Sequence, residues 1–224
     1  WQQMRVMEYF NNMPIIQFCL PEIEADDVIA YVANLEYYAG WQKIIGSNDK
    51  DFMQLCDGET VLMRPVKNEI LTKKSIVKDI GIHPTNMALA RAIVGDKSDN
   101  LPGIQGAGLA TVSKRLQFLS ESKTYTIQHV IDFCKESEQS LKVFDKIIEG
   151  KGVIEHNYKM MQLYVPKISF QSKMFIKESI INFDGIFSFT EILKMMREDG
   201  FGELNWSDLR IGMNHIQRFR QENK

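Results

Sequence analysis

Three acidic groups carry the chemistry this sequence offers: Glu24-Ala25-Asp26-Asp27, Asp49-Lys50-Asp51 and Asp96-Lys97-Ser98-Asp99. Each alone has an ordinary explanation. The first complements the positive end of a helix dipole, the second is a solvated loop after a strand, and the third is an Asp-Ser-Asn turn. Together they place seven carboxylates at element ends, with only Lys50 and Lys97 interleaved and no His or Cys close by. Hard oxygen donors of this kind select Mg²⁺ or Mn²⁺ over zinc. If they converge, Glu24, Asp26, Asp27, Asp49, Asp51, Asp96 and Asp99 would repel one another severely without divalent cations. A pair of such ions about 4 Å apart is a general arrangement for phosphodiester cleavage: one lowers the pKa of a bound water, the other stabilises the departing 3′ oxygen.

The elements that would position these acids alternate. An apolar run at 14–20 predicts a strand, and Val28, Ile29, Val32 and Leu35 predict a helix over 25–38 that Gly40 stops. Residues 41–46 and 60–63 read as short strands, with a helical turn at 52–55 between them. Strand, helix, strand implies a parallel α/β sheet. After Thr72 the chain turns helical, with helices predicted at 73–79 and, behind Pro84, at 85–94. Leu101-Pro102-Gly103-Ile104-Gln105-Gly106-Ala107-Gly108 holds three glycines and a proline, so it cannot be a helix interior. A helix over 109–119 follows, giving helix, glycine hairpin, helix. Gly103, Gly106 and Gly108 allow tight turns, and the following helix start offers N–H groups to a phosphate, which predicts sequence-independent duplex binding. Further helices are expected at 126–134, 140–148, 155–163, 189–197 and 208–220.

Composition sets the bounds. A chain of 224 residues, 44% apolar and 25% charged, suits one or two globular domains and excludes collagen-like, disordered and disulfide-stapled classes. Ten basic and fourteen acidic residues fall in 1–100, against seventeen and fifteen in 101–224, so acid concentrates early and base late. The apolar stretches fall short of the roughly 20 residues of a membrane span. Cys19, Cys56 and Cys134 are far apart with no CxxC pair, which predicts reduced core thiols and a cytoplasmic setting. His83, His129, His156 and His215 lack ligand partners at useful spacing. Met160-Met161 and Met195-Met196 read as core filler, Tyr37, Tyr38 and Trp41 as packing groups, and Trp206 with Arg210, Arg218 and Arg220 as a packed tryptophan beside a solvated face.

Glu24-Ala25-Asp26-Asp27-Val28-Ile29, Ser47-Asn48-Asp49-Lys50-Asp51-Phe52-Met53-Gln54-Leu55 and Gly95-Asp96-Lys97-Ser98-Asp99-Asn100-Leu101-Pro102-Gly103-Ile104 closely resemble, in order and spacing, successive motifs of the structure-specific 5′ nucleases. That family includes flap endonucleases, the 5′ nuclease domain of bacterial DNA polymerase I and phage 5′→3′ exonucleases. Residues 158–181 and 192–204, with the turn Asp199-Gly200-Phe201-Gly202, look most like the tailed-phage ribonuclease H branch. The resemblance implies a PIN-like parallel-sheet core at 1–82 that binds metal and a helical, helix–three-turn–helix region at 83–224 that binds DNA. It implies Glu24, Asp26, Asp27 and Asp49 at a first metal ion and Asp51, Asp96 and Asp99 at a second, the ions being Mg²⁺ or Mn²⁺. It further implies a potassium ion held by the carbonyls of Ile93, Val94, Pro102, Ile104 and Ala107, and a duplex gripped through Gly103, Gly106 and Gly108. Where the family commonly has a Lys two residues after the last glycine, this chain has Ala110, and Lys114 and Arg115 one turn on are expected to compensate.

The expected activity is Mg²⁺-dependent 5′→3′ exonuclease or flap endonuclease cleavage of branched DNA or RNA–DNA, for primer or flap removal. Expected partners are that nucleic acid and replication proteins, with no membrane. Phage origin, hence host cytoplasm, is the favoured reading. The family also carries an N-terminal strand ending in a metal-binding Asp, a second strand bearing another, and a basic helical arch, none of which is in this sequence. Residues 1–12 resemble the helix after the arch, so a truncated or split-gene product, or an incomplete sequence, is expected. The rival readings are a DNA-binding fragment that needs a separate N-terminal part to cleave, and a single-strand ribonuclease on a related sheet, which would lack the glycine hairpin.

Overall fold

The computed structural model describes residues 1–139, 141–185, 187–201 and 205–222. The start of the helix expected at 140, the end of the 192–204 segment with Gly202 of its turn, and the Arg220 side chain lie outside what is described. In chain order the first elements are α1 (Gln2–Asn11), α2 (Ala25–Ala33), β1 (Lys43–Gly46), β2 (Thr60–Arg64), β3 (Glu69–Leu71), α3 (Lys73–Ile80) and α4 (Met87–Val94). Then come α5 (Leu109–Arg115), α6 (Ile127–Glu136), α7 (Lys142–Glu149), α8 (Lys151–Met161), α9 (Phe170–Asn182), α10 (Phe189–Glu198) and α11 (Trp206–Glu222). Short 3-10 turns at Asp51–Leu55 and Gln117–Ser120 matter for the site and the hairpin.

The chain forms two compact units, residues 23–168 and residues 1–22 with 169–224. The first holds the sheet, in the order β1-β2-β3. β1 runs parallel to β2, Lys43 opposite Thr60 and Gly46 opposite Met63, as strand–turn–strand patterning predicts. β3 adds an antiparallel edge with Leu62 opposite Leu71, a hairpin partner the sequence reading did not include. Along β2, Thr60, Leu62 and Arg64 are buried while Val61 and Met63 are half-buried, the two-residue period of a strand with unequal faces.

One apolar cluster runs from Ala30 through Ile45, Leu62, Ile93, Val112 and Ile154 to Leu163, joining sheet, α4 and hairpin helices. This cluster crosses the expected boundary at 82/83, where α4 packs on the Asp51–Leu55 turn and on α5 and α8. Met87, Ala88, Leu89, Ala90, Ala92 and Ile93 of α4 are all buried, and the small alanines let α8 approach closely. Thr72 caps α3 through a reciprocal pair with Ser75, and Gly81 ends it at φ +75°.

The second unit corrects the strand expected at 14–20. That stretch is extended but unpaired among the described residues. It is held by side chains instead: Gln17 donates to the Met7 carbonyl (3.0 Å) and Asn11 Oδ1 (2.8 Å), and Phe18 meets Phe175 of α9 edge-on. Tyr9, Met13 and Ile192 form a small core with Phe10, Ile15 and Leu209 around it. Arg5 Nε and the Tyr9 hydroxyl both donate to Asp199 Oδ2, at 2.7 and 2.5 Å, clasping α1 to the end of α10. Among the described residues no helix is long and apolar enough to cross a membrane.

Candidate metal centre

All the predicted site residues lie in the 23–168 unit. Glu24 is the extended N-cap of α2 and is exposed, and Asp26 and Asp27 fill the first turn, where acids favour the helix dipole. The Asp27 N–H donates to Asp26 Oδ1 (2.8 Å), and Asp27 Oδ1 accepts from the Lys167 N–H (3.1 Å). Burial pushes the Asp26 carboxyl above its ordinary range, and the negative charges of Asp27 and Asp49 push the same way. Asp49 thus faces Asp26 electrostatically from the loop after β1. That loop folds on itself: the Asp49 N–H donates to the Ser47 hydroxyl (3.1 Å) and the Asp51 N–H to Asp49 Oδ1 (2.8 Å).

Asp51 opens the 3-10 turn at the carboxyl end of β1, and Gln54 fixes it in place. Buried Gln54 donates through Nε2 to the carbonyls of Asp51 (2.9 Å) and Met161 (3.0 Å) and accepts the Leu163 N–H at 2.7 Å. The Asp51 carboxyl meets Arg91, whose Nε donates to Oδ1 at 2.8 Å, while Nη2 of the same guanidinium donates to Asp96 Oδ2 at 2.6 Å. Asp96 is set by the turn that follows α4: Gly95 stands at φ +77°, two backbone bonds pair Asp96 with Leu101 (2.9 and 2.7 Å), and Asn100 takes a left-handed φ of +56°. Asp96 Oδ1 accepts both the N–H (2.8 Å) and the hydroxyl of Ser98.

The two carboxylates on Arg91 move in opposite directions. Burial raises Asp51, against the pull of Arg91 and with the push of Asp49 and Asp96. Asp96 is held down at about 2, first by the Ser98 hydroxyl and then by the Ser98 N–H and Arg91, against its own desolvation. The arginine is common to both, so the burial of Asp51 on one side and the local donors of the Asp96 turn on the other make the difference.

The structure therefore draws Asp26, Asp49, Asp51 and Asp96, from three separate segments, into one electrostatically linked series. Asp27 is turned to Lys167, and Glu24 and Asp99 are exposed. The donor set, all carboxylate oxygen, fits a hard divalent cation. Among the described residues, however, no three His, Cys, Asp or Glu side chains are grouped to hold an ion. Arg91 occupies the space between Asp51 and Asp96, so the acids are arranged in pairs.

In the hairpin, a Cβ on Gly103 would collide with the Val94 carbonyl, whereas Gly108 has open space around it. Of the five carbonyls predicted to hold potassium, Ile93 accepts from the Ile104 N–H (2.8 Å), Ile104 from the Ala107 N–H (2.9 Å) and Pro102 from Asn157 Nδ2 (2.8 Å). Asn157, fully buried on α8, also donates to the Ala92 carbonyl (2.9 Å), and its Oδ1 has no partner among the described residues. α5 is shorter than expected, ending at Arg115 before the Gln117–Ser120 turn. Lys114 and Arg115, at its C-terminus, line a cleft of about 610 Å³ with Phe118, Phe133 and Phe144.

Sequence reasoning missed Arg91, Gln54 and Asn157. Arg91 had a signal: it is the lone charge in Met-Ala-Leu-Ala-Arg-Ala-Ile-Val, and a cation inside a buried helix needs a carboxylate. Gln54 is likewise the one amide in an apolar run. Asn157 had none. Two of the four histidines fill local roles, His83 bonding Thr85 and His129 closing the α6 cap with Thr126. Cys56 and Cys134 are buried thiols, each pushed up to about 11 by burial, but Cys19 is exposed and no core thiol.

Residues 1–81 match the family described as "5′-3′ exonuclease, N-terminal resolvase-like domain". A 5′-3′ exonuclease of Aquifex aeolicus is 34% identical over 153 residues, 68% of this chain and 49% of that protein. The chain is a relative of the 5′ nucleases. DNA polymerase I of Streptococcus pneumoniae is 33% identical over 137 residues, 59% of the chain and 15% of the polymerase. The 5′-nuclease fold is also that of a zinc-bound T5 5′-exonuclease, with a TM-score of 0.62 at 15% identity, covering 74% of this chain and 62% of that one. A T5 flap endonuclease in complex with DNA and metal ions aligns at a TM-score of 0.54 and 15% identity, over 80% of this chain and 62% of that one. This 5′-nuclease relative spans about half the length of the Aquifex protein.

Proposed function

We propose that this chain supplies metal-binding and duplex-binding parts of a divalent-cation-dependent 5′ nuclease that cleaves phosphodiesters in branched DNA or RNA–DNA, removing primers or flaps during replication in the cytoplasm. One observation supports the reading: in a relative of the 5′ nucleases, Asp51 and Asp96 from two distant loops converge on Arg91, and the charge of Asp49 pushes up the carboxyls of both Asp51 and Asp26.

Asp26, Asp27, Asp49 and Glu24 would hold one Mg²⁺ or Mn²⁺, and Asp51, Asp96 and Asp99 a second. When bound, such ions generate hydroxide from water and stabilise the leaving 3′ oxygen. The chain's own side chains orient rather than react. The Ser47 and Asp49 turn aims the loop after β1, Gln54 anchors the Asp51 backbone, and Ser98 holds the Asp96 carboxylate ionised. The Gly103, Gly106 and Gly108 hairpin, with Lys114 and Arg115, would grip the duplex backbone. A potassium ion would share the Ile93, Pro102 and Ile104 carbonyls with the single hydrogen bond each is shown to accept.

The test is cleavage of a 5′-flap DNA by whichever preparation is active, the chain alone or the chain with an added N-terminal part. Asp49→Ala and Asp96→Ala should each abolish cleavage with duplex affinity retained, while Lys114→Ala with Arg115→Ala should weaken affinity and flatten its salt dependence. Retention of most cleavage in either Asp variant refutes the assignment. A second reading, a DNA-binding fragment that requires a separate N-terminal part, is favoured by the lack of any three-acid group among the described residues. It predicts duplex binding without cleavage by the chain alone and cleavage once that part is added.

A further inference from the structure

Asp51 and Asp96 come from different loops, and a single side chain satisfies both. Arg91 uses Nε for one and Nη2 for the other, at 2.8 and 2.6 Å. This is no surface decoration: the side chains of Arg91, Asp51 and Asp96 are only 13%, 15% and 18% exposed. Arg91 also stands on α4, whose other side chains are buried apart from half-buried Val94. Guanidinium is the cation suited to such a place, planar, permanently charged and able to serve two carboxylates at once. It neutralises one charge of two, and Asp49 adds a third beside them.

Both Asp96 oxygens are engaged, Oδ2 by Arg91 and Oδ1 by Ser98. The Ser98 donors belong to the same tight turn as Asp96 and move with it. Arg91 holds Asp51 Oδ1 and Asp96 Oδ2 from the space between them, so an ion that takes its place there would displace the guanidinium, whereas the Ser98 donors stay with the turn. We propose that Arg91 is a resident counterion, standing between Asp51 and Asp96 while no divalent cation is there and exchanged for that cation when it loads. The arginine keeps two repelling loops together in the metal-free protein, at the cost of weakening the ion's apparent affinity. The inference rests on the reading of Asp51 and Asp96 as cation ligands.

Binding of Mn²⁺ to the 224-residue chain, followed by the electron paramagnetic resonance of the free ion, tests it. Arg91→Met should bind Mn²⁺ about tenfold more tightly than the parent, the reciprocal of removing a competing ligand, and Arg91→Lys should fall between. A clasp that only holds α4 to the Asp51 turn would lower stability without tightening Mn²⁺, and that result overturns the proposal. A measurement on the unmutated protein covers the case in which Arg91→Met does not fold. In ¹⁵N spectra the Arg91 Nε–H, identified by its loss in Arg91→Lys, should be protected from exchange without Mg²⁺ and lose protection as Mg²⁺ saturates. Persistence at saturation overturns the exchange. Asp96→Asn separates the two readings: if Mn²⁺ binding is unchanged by it, the ligand assignment falls and this proposal with it, whereas weakened binding with no tightening in Arg91→Met removes the counterion role alone.

Discussion

Gln54 shows how much a single side chain can organise. Its amide spans three backbone groups, on the Asp51 turn, at the end of α8 and just beyond it, and is 4% exposed. Gln54→Ala strands those groups in the interior and should destabilise the protein by about 2–3 kcal/mol in urea unfolding. Gln54→Glu should do no better despite its shape, because a carboxylate would face two carbonyls with no donor. A loss below about 0.5 kcal/mol in either variant, the scale of an ordinary surface change, would reduce the bridge to an incidental contact. At this scale the candidate site was partly legible. The acids of the Asp49 and Asp96 motifs announce themselves by type and spacing, but the partner that sorts them does not. Arg91 is forty residues from Asp51 in sequence, and no periodicity connects them.

Elements were legible where one pattern dominated. β1, β2, α3 and α4 lie where alternation, caps and apolar runs put them. α9 was missed because Phe170, Met174, Phe175 and Ile181 remain exposed while Ile176 and Ile180 are buried, so its apolar residues are spread round the helix with no single stripe. The strand expected at 14–20 failed for the complementary reason: an apolar run satisfies side-chain packing as well as sheet pairing, and here Phe18 takes the former. The α1–α10 clasp gives a pH dependence at the same scale. Arg5, then Tyr9, holds the Asp199 carboxyl below its usual range, and burial with Asp199 beside it pushes the Tyr9 phenol up to about 12. A carboxyl depressed in the folded state stabilises it above the ordinary carboxyl pKa and ceases to as pH falls through the folded value. The thermal midpoint should therefore fall below about pH 4 more steeply in the parent than in Asp199→Asn. Parallel acid limbs would remove the clasp from the stability of this unit.

Over the whole molecule, the continuous core of the 23–168 unit makes sheet and hairpin a single cooperative body. Ile93, fully buried on α4, touches that core between the two. Ile93→Ala should cost about 2–5 kcal/mol, and native-state hydrogen exchange should record equal losses of protection at Leu62 in β2 and Ile154 in α8. A loss confined to α8 would mean that the two parts unfold separately. A boundary at 82/83 was the natural inference from fading strand patterns. Secondary-structure composition changes there, while the buried apolar cluster continues through it.

The close approach at Gly103 sets different evolutionary freedoms within one short loop. Gly103 lies against the Val94 carbonyl, and folding alone would purge any side chain there, in any lineage, regardless of what the protein does. Gly108, at an ordinary φ of −68° with no described atom beyond its chain neighbours within 4 Å of where a Cβ would stand, is under no such internal constraint. Under selection for the fold alone it would drift to alanine or serine.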